Sequence, residues 1–311
     1  MLHLLNGDAV LPSMREAGLP GELAVWGDVL WDGPVLPGRP RAEEIVARAR
    51  WFAGPGGDPG PLVAMQDAWD AGLARAADHD EVVIWLEHDL HDQCLLLHHL
   101  DHFSRLPHPR VSLICIGEFP GIEPFHGLGQ LTGHQLASLF PHRAPITPAQ
   151  LALGREGWAA LREPAPTAIA ELLERDTRPL PFLAGALRRL LEEYPAPASG
   201  LGRTEATALA ALADGPASPE SLFRALQRQE ERVFLGDLGF ARILEALAAG
   251  DEPLLTLAPG TATITERGRA ALAGAFDRAA LPTLDRWLGG VHLQGPAVRW
   301  RWDPVRARLL G

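Results

Sequence analysis

The chain contains no lysine, only two cysteines and a single tyrosine. All 28 basic side chains are therefore arginines, which indicates a GC-rich coding sequence rather than a function. Cys94 and Cys115 both lie among aliphatic residues, so they exclude a disulfide framework and predict buried thiols in the cytoplasm. No apolar run approaches the roughly 20 residues that a membrane helix needs, and the opening residues lack the pattern of a secretion signal. We therefore expect no membrane partner.

Sequence patterns with a defined chemistry are also missing. The chain has no glycine-rich dinucleotide fingerprint, no ATPase-type phosphate loop, and no HExxH or CxxC zinc pattern. It also lacks the GxSxG turn that exposes a catalytic serine. The reaction cannot be read from one motif, so any function must come from side chains that the fold brings together.

The net charge of −11 is unevenly distributed. Residues 1–202 hold 26 acidic and 15 basic side chains, whereas residues 203–311 hold 13 of each. An acidic first part repels nucleic-acid phosphates and favours cations, and a neutral second part permits DNA contact without favouring it. We predict a small-molecule partner rather than a nucleic acid, and a homo-oligomer stays open.

Four short apolar runs, each ending in polar residues, organise the first two fifths of the chain. They are His3–Leu5, Leu23–Trp26, Val82–Leu86 and Val111–Ile116. Continuous apolar runs, rather than alternating ones, predict strands of a sheet covered on both faces. Helical stretches lie between them, at Ala42–Phe52, Leu62–Ala76 and Asp92–Phe103, and this alternation is typical of parallel βαβ units. The pattern predicts a parallel-stranded, Rossmann-like α/β domain over residues 1–133.

The remaining chain divides into two further parts. Residues 134–200 read as a helical segment that ends in a linker, Pro195–Gly200. From 201 to 311, Thr204, Ser218 and Asp237 could each cap a helix, a hairpin follows at Leu254–Ile264, and Thr265 starts another helix. Three helices, a hairpin and a helix predict a winged-helix-like domain, with a second hairpin over Trp287–Trp302. The predicted third helix has a single arginine, Arg242, which is poor in charge for DNA binding.

The block Glu87–Gln93 is the sharpest local feature, because acidic and imidazole groups follow a buried strand. The candidate catalytic residues are Glu87, His88, Asp89 and Asp92. Such groups can hold a divalent cation such as Mg²⁺, with Asp89 and Asp92 as its ligands, or act as acid and base. The plainer interpretation is helix capping, which Asp89 could provide.

Other polar residues follow the remaining predicted strands, at the edge of the sheet where ligands of parallel α/β folds bind. The candidate ligand-binding residues are Asn6, Gly7, Asp8, Asp32, Gln93, Gly129 and Gln130. A tight turn explains Gly7 without any ligand, and an ordinary loop explains Gly129. His98 and His102 are four apart, a spacing that can bind zinc, although a helix face explains them equally well.

Several ordered motifs together resemble a known bacterial family. They are LNGD, GELAVWGDVLWDGPV, IWLEHDLHDQ, GLGQLT, LPFLAGALRRLLEEYP, GLGRTE and DRWLGGVHL. The family is catalogued as domain of unknown function 1835, and the resemblance spans most of the chain. It implies that the family's recurring positions include the candidate residues above, with Gly33 and Pro34. His91 departs from the pattern, where an aromatic residue is expected, and the family name implies no activity.

Two functional hypotheses follow. The first is an enzyme, or former enzyme, that acts on a phosphorylated or nucleotide-like small molecule at an acidic site with a possible divalent metal. The alternative is a regulatory protein whose first domain senses a ligand while the winged helix contacts a protein partner or DNA.

Overall fold

The computed structural model describes residues 1–107 and 110–311. The strands are β1 (Leu2–Leu5), β2 (Glu22–Val25), β3 (Glu81–Glu87), β4 (Arg110–Ile116), β5 (Ala144–Pro145), β6 (Leu255–Ala258), β7 (Thr261–Ile264), β8 (Asp285–Leu288), β9 (Val291–Gln294), β10 (Arg301–Asp303) and β11 (Arg308–Leu310). The helices are α1 (Leu11–Ala17), α2 (Arg41–Ala53), α3 (Gly60–Ala74), α4 (Leu90–Phe103), α5 (Gly133–Leu139), α6 (Pro148–Arg162), α7 (Thr167–Leu173), α8 (Leu183–Leu191), α9 (Arg203–Ala211), α10 (Pro219–Gln229), α11 (Asp237–Ala248) and α12 (Glu266–Leu272). None of the helices in these ranges is long and apolar enough to cross a membrane.

The main sheet has the strand order β2-β1-β3-β4-β5. The first four strands are parallel, as the continuous apolar runs predict, and β5 is antiparallel to β4. Strands β2 and β3 lie on opposite sides of β1. The strand order therefore reverses between the neighbouring strands β1 and β3. The carboxyl ends of β1 and β3 therefore border the crevice where such sheets bind ligands.

Both faces of this sheet are covered, which explains why the central strands β1 and β3 are buried almost throughout and consist mainly of apolar residues. On one face, Val83 and Trp85 pack with Met14 of α1 and Leu136 of α5. On the other, Ile84 belongs to a larger core. That larger core continues through the middle helices into the C-terminal part of the chain, so the three predicted parts share one hydrophobic interior.

The C-terminal part contains the predicted hairpin, formed by β6 and β7, with Gly260 at its turn in the left-handed region. Ser218 caps α10 and Thr265 caps α12 through their side chains, as predicted. Two further hairpins, β8–β9 and β10–β11, follow. The second was not predicted, because the segment Trp287–Trp302 read as one hairpin.

Several boundaries differ from the prediction for physical reasons. Strand β5 extends the first sheet beyond residue 133, although two residues are too few to show a periodic pattern. The cap of α9 is Gly202, because the Thr204 hydroxyl is already bonded to the Glu193 carboxylate. Pro195–Gly200 does not behave as a free linker: the Pro195 carbonyl accepts a hydrogen bond from the Trp302 amide, 3.0 Å away.

Candidate active site

Asn6 and Glu87 stand at the carboxyl ends of β1 and β3, where the strand order opens its crevice. Helix α4 begins three residues after Glu87, with Asp89 as its N-cap. Asp92 lies in the first turn of that helix and faces back toward the strand ends. Two neighbouring parallel strands and the start of α4 thus bring Asn6, from the first segment of the chain, next to Glu87, Asp89 and Asp92.

Three of these side chains form a compact carboxylate group, which we call the acidic triad: Glu87, Asp89 and Asp92. One carboxylate oxygen from each lies within 4.8 Å of the others, and all three residues are buried. Asp92 is the most enclosed, at 1% exposure. The sequence placed only Asp89 and Asp92 in a metal-binding role, and the geometry adds Glu87.

Each carboxylate of the triad also has local hydrogen bonds. Asp89 accepts one from the Asp92 amide at 3.1 Å, the usual N-cap bond. Asp92 accepts bonds from the Glu87 amide at 2.6 Å and from the Asn6 side chain at 2.9 Å. Glu87 accepts a short bond from the Leu128 amide. These bonds fix the orientation of the carboxylates. The bond from Asn6 to Asp92 also connects the end of β1 to the triad.

The electrostatics of the acidic triad are unfavourable for three negative charges. Burial removes the carboxylates from water and raises the pKa of Glu87, Asp89 and Asp92 above their ordinary values. Repulsion between the carboxylates adds to the rise at Glu87 and Asp92. No arginine or histidine of the described residues forms an ion pair with the triad. The repulsion within such a group of carboxylates is reduced by shared protons or by a bound cation.

Gly127 explains part of the GLGQLT motif. A Cβ atom at this position would lie 2.3 Å from a Glu87 carboxylate oxygen, and the residue has a φ of +146°. Only glycine lets the loop approach Glu87 closely enough for the Leu128 bond. The sequence drew attention to Gly129 and Gln130 instead. Gln130 uses its side-chain oxygen within its own loop, accepting from the His126 and Gly127 amides.

His88 is not part of the carboxylate group. Its ring packs between Phe125 and Phe182, with ring centroids 6.0 and 5.9 Å away. Burial lowers its pKa to about 4, helped by the charge of Arg232. The structure therefore separates His88 from the three acidic residues with which the sequence grouped it.

His91, the weaker candidate by sequence, lies closer to the site. It lines a cleft together with Asn6 and Gly7. Burial lowers its pKa to about 4, and the nearby Asp28 carboxylate offsets this only in part. A neutral imidazole with one nitrogen donating leaves the other as an acceptor.

The cleft, which we call the interdomain cleft, has a volume of about 580 Å³. Asn6, Gly7 and His91 form its floor, next to the acidic triad, which lies directly behind Asn6. Helix α3 forms one wall, and the start of α11, from the C-terminal part, forms another. A site between two parts of a chain at the carboxyl edge of a parallel sheet is a common place for small-molecule binding.

Asp28 and Asp32 have different roles at this cleft. Asp28 forms a buried, two-contact ion pair with Arg48, at 2.8 and 2.7 Å, so its charge is neutralised. Asp32 lines the cleft, accepts from the Gly33 amide, and lies 3.4 Å from Arg242 of α11. Asp32 thus lines the cleft beside Arg242, whereas Asp28 is paired with Arg48 and holds the loop in shape.

The remaining candidates lie apart from the cleft. Asp8 is exposed, and Gly129 lies in open space with Ala9 as its nearest neighbour. Gln93 is buried and donates to the Glu87 carbonyl at 2.8 Å, which supports the strand end. His98 and His102 are half-buried and stack on each other, and no group of three metal-binding side chains among the described residues includes them.

Three further cleft residues were not suggested by the sequence: Trp31, Gln66 and Arg242. They come from a loop and two helices that are far apart in the chain, so no local spacing relates them. One local signal was available for Gln66, because it is a polar residue on the buried face of α3.

Comparison of the chain with models of known protein families gives no match. Comparison with curated proteins also gives none.

Proposed function

We propose that this protein is a divalent-cation-dependent enzyme that acts on a phosphorylated or nucleotide-like small molecule. The observation that carries the proposal is the acidic triad, three buried carboxylates within 4.8 Å of one another. Carboxylates buried together without a basic partner are costly unless a cation or shared protons compensate them. Oxygen ligands of this kind suit Mg²⁺ or Mn²⁺.

The roles of the residues follow from their positions. Glu87, Asp89 and Asp92 would hold the cation, and Asn6 orients Asp92 by its hydrogen bond. A bound cation supplies charge neutralisation for an anionic substrate. His91 and Asp32 line the interdomain cleft, where they can contact a ligand directly. The cleft holds the substrate on the open side of Asn6, and the triad lies on the buried side.

The fold supports this proposal. Parallel strands in the order β2-β1-β3-β4 agree with a Rossmann-like assignment, and the crevice of that order coincides with the triad. The mutual packing of α9, α10, α11 and α12 with the β6–β7 hairpin agrees with a winged-helix-like assignment. Membership of the domain of unknown function 1835 family stays a proposal that rests on the sequence motifs.

Cation binding is the first test. Isothermal titration of the metal-free protein with Mn²⁺ should show one site per chain, and Asp89→Asn and Asp92→Asn should each abolish it. The matched control is Asp101→Asn, because Asp101 lies on the same helix and pairs with Arg105 instead. Phosphate release from a panel of phosphorylated metabolites and nucleotides, with and without Mg²⁺, then tests for enzymatic activity.

Two results would contradict the proposal. Absence of Mn²⁺ binding at millimolar concentrations would leave the triad as a set of structural hydrogen bonds. Cation binding that survives both Asp89→Asn and Asp92→Asn would place the metal elsewhere.

One observation favours the second candidate, a ligand-sensing regulator. Helix α11, the predicted recognition helix of the winged helix, forms a wall of the cleft and contacts Asp32 through Arg242. A ligand bound in the cleft would therefore contact the C-terminal part directly. Because α11 faces the first domain, this regulator would act through a protein contact rather than through DNA. A ligand that binds without any turnover, and that changes a partner interaction, would favour this candidate.

A further inference from the structure

The apolar walls of the interdomain cleft are unusually exposed. Met65 of α3 is 39% exposed and Leu238, in the first turn of α11, is 79% exposed. Both border the same opening, and Trp69 lines the wall beside Met65. Exposed apolar side chains that face each other across a cleft are favourable when a flat apolar group lies between them.

The cleft wall also contains two buried polar atoms without a partner. The side-chain oxygen of Gln66 and the indole nitrogen of Trp31 make no hydrogen bond to any described residue. Gln66 is only 2% exposed and Trp31 only 3%. Buried polar atoms normally have partners, because an unsatisfied one costs about 1 to 3 kcal/mol. Both residues line the cleft, so a ligand that hydrogen-bonds these atoms presents a donor to Gln66 and an acceptor to Trp31.

A third feature is suited to negative charge. Helix α11 has twelve residues, its N-cap is Gly236, and no side chain caps it there. Its first turn lines the cleft. Asp237 satisfies only the Leu238 amide, through its side chain at 2.8 Å. Arg242 lies one turn further on the same wall, held by Asp32 at 3.4 Å, which is a long contact for an ion pair. Amides at a helix start and an arginine together favour a phosphate group.

We infer that the interdomain cleft is a nucleotide subsite, with the base between Met65 and Leu238 and the phosphate at the start of α11. Gln66 and Trp31 would bind the polar edge of the base, which carries both donors and acceptors. A sugar phosphate would use only the phosphate contacts. This inference rests on the proposed function and narrows its substrate class from phosphorylated molecules in general to nucleotides.

The test measures binding of four probes to the full chain: AMP, GMP, adenosine and ribose 5-phosphate. Quenching of tryptophan fluorescence reports binding, because Trp31 and Trp69 line the cleft. We expect at least one nucleotide to bind ten times more tightly than ribose 5-phosphate. Gln66→Leu should weaken that nucleotide about tenfold, the value of one good hydrogen bond, and leave ribose 5-phosphate unchanged.

Two further variants test the walls without disturbing the core. Leu238→Ala should weaken the nucleotide about fivefold, and because Leu238 is mostly exposed the protein should stay folded. Leu257→Ala is the matched control, since Leu257 is an exposed leucine on the distant β6–β7 hairpin. Arg242→Gln should weaken the nucleotide and leave adenosine unchanged.

The outcomes separate this inference from the proposed function. Mn²⁺ binding without any nucleotide binding would overturn the nucleotide subsite and leave the cation site intact. Equal affinity for ribose 5-phosphate and both nucleotides would also overturn it, because the base would then contribute nothing. Nucleotide binding that depends on Gln66 and Leu238, without cation binding, would support the subsite and contradict the cation-dependent enzyme.

Discussion

Arg48 and Asp28 give the sharpest prediction about stability at the site. Arg48 is fully buried and Asp28 is 3% exposed, and two nitrogen–oxygen contacts of 2.8 and 2.7 Å join them. Arg48 also donates to the carbonyls of Val29 and Pro34. Four acceptor contacts thus depend on a single side chain, and they hold the loop that follows β2.

The perturbation is Arg48→Leu, which leaves the Asp28 carboxylate buried without a partner. Removing one member of a buried ion pair costs about 3 to 5 kcal/mol, because the remaining charge is uncompensated. The two carbonyls that lose their donor place the expected loss of unfolding free energy at the upper end of that range. Because Trp31 and Asp32 belong to the same loop, ligand binding in the cleft should weaken as well.

Urea denaturation at pH 7, followed by tryptophan fluorescence, measures the change. The double variant Asp28→Asn/Arg48→Leu should recover about 2 kcal/mol relative to Arg48→Leu, because the buried charge is gone. Arg178→Leu serves as the control, since Arg178 pairs with Asp176 on the surface and its loss should leave the midpoint unchanged. A loss below about 1 kcal/mol for Arg48→Leu, with no recovery in the double variant, would refute this reasoning.

Three further predictions address other parts of the chain. Burial lowers the pKa of His99 to about 3, so the ring is neutral in the folded protein and protonates near its ordinary pKa of 6.5 when unfolded. As the pH drops from 6.5 to 5, the contribution of His99 to stability should therefore fall by about 1.6 kcal/mol, and His99→Leu should show a shallower slope in thermal unfolding at several pH values. Gly127→Ala forces a Cβ atom against Glu87, so it should destabilise the protein by about 2 kcal/mol or more and abolish Mn²⁺ binding. Gly260→Ala, which also stands at a positive φ (+72°) but has open space around it, should keep Mn²⁺ binding intact. In gel-shift assays at physiological salt, genomic DNA fragments should show no sequence-selective shift, and a retained selective shift would contradict this prediction. The reason is that α11 lines the cleft and that the Trp302 ring is buried, so it cannot stack on bases.

The main sheet was predictable because its signal is local. Strands buried on both faces need mostly apolar residues, and the run Val82–Leu86, buried at every position, shows this directly. Helix caps with a side-chain acceptor, such as Ser218, were also predictable. Thr204 shows the limit of that rule, because a buried carboxylate at Glu193 competes for the same hydroxyl. Whether a hydroxyl caps its helix or bonds to another side chain depends on tertiary packing, which sequence spacing does not show.

The candidate site was predictable only in part. Glu87, Asp89 and Asp92 are close in the chain, so their convergence follows from one strand end and one helix start. The position of Asn6 beside the triad follows from the parallel pairing of β1 with β3. Local spacing could not tell whether His88, which precedes α4, or His91, in its first turn, would face the cleft; the structure places His91 on the cleft and His88 between Phe125 and Phe182. Gln66 and Arg242 lie 60 and 236 residues beyond Asn6, and only the assembled fold relates them.

The C-terminal part is a component of the cleft rather than an appendage to it. At the tip of the β8–β9 hairpin, Gly289 accepts from the Val35 amide at 3.1 Å and donates to the Trp31 carbonyl at 3.3 Å. A Cβ atom at Gly289 would lie 2.5 Å from the Leu161 carbonyl of α6, so glycine is required for this contact. The hairpin thus fixes one wall loop while α11 supplies the opposite wall. Residues from both the N-terminal and the C-terminal parts of the chain line the cleft, so a ligand there, whether a substrate or an effector, would contact both parts.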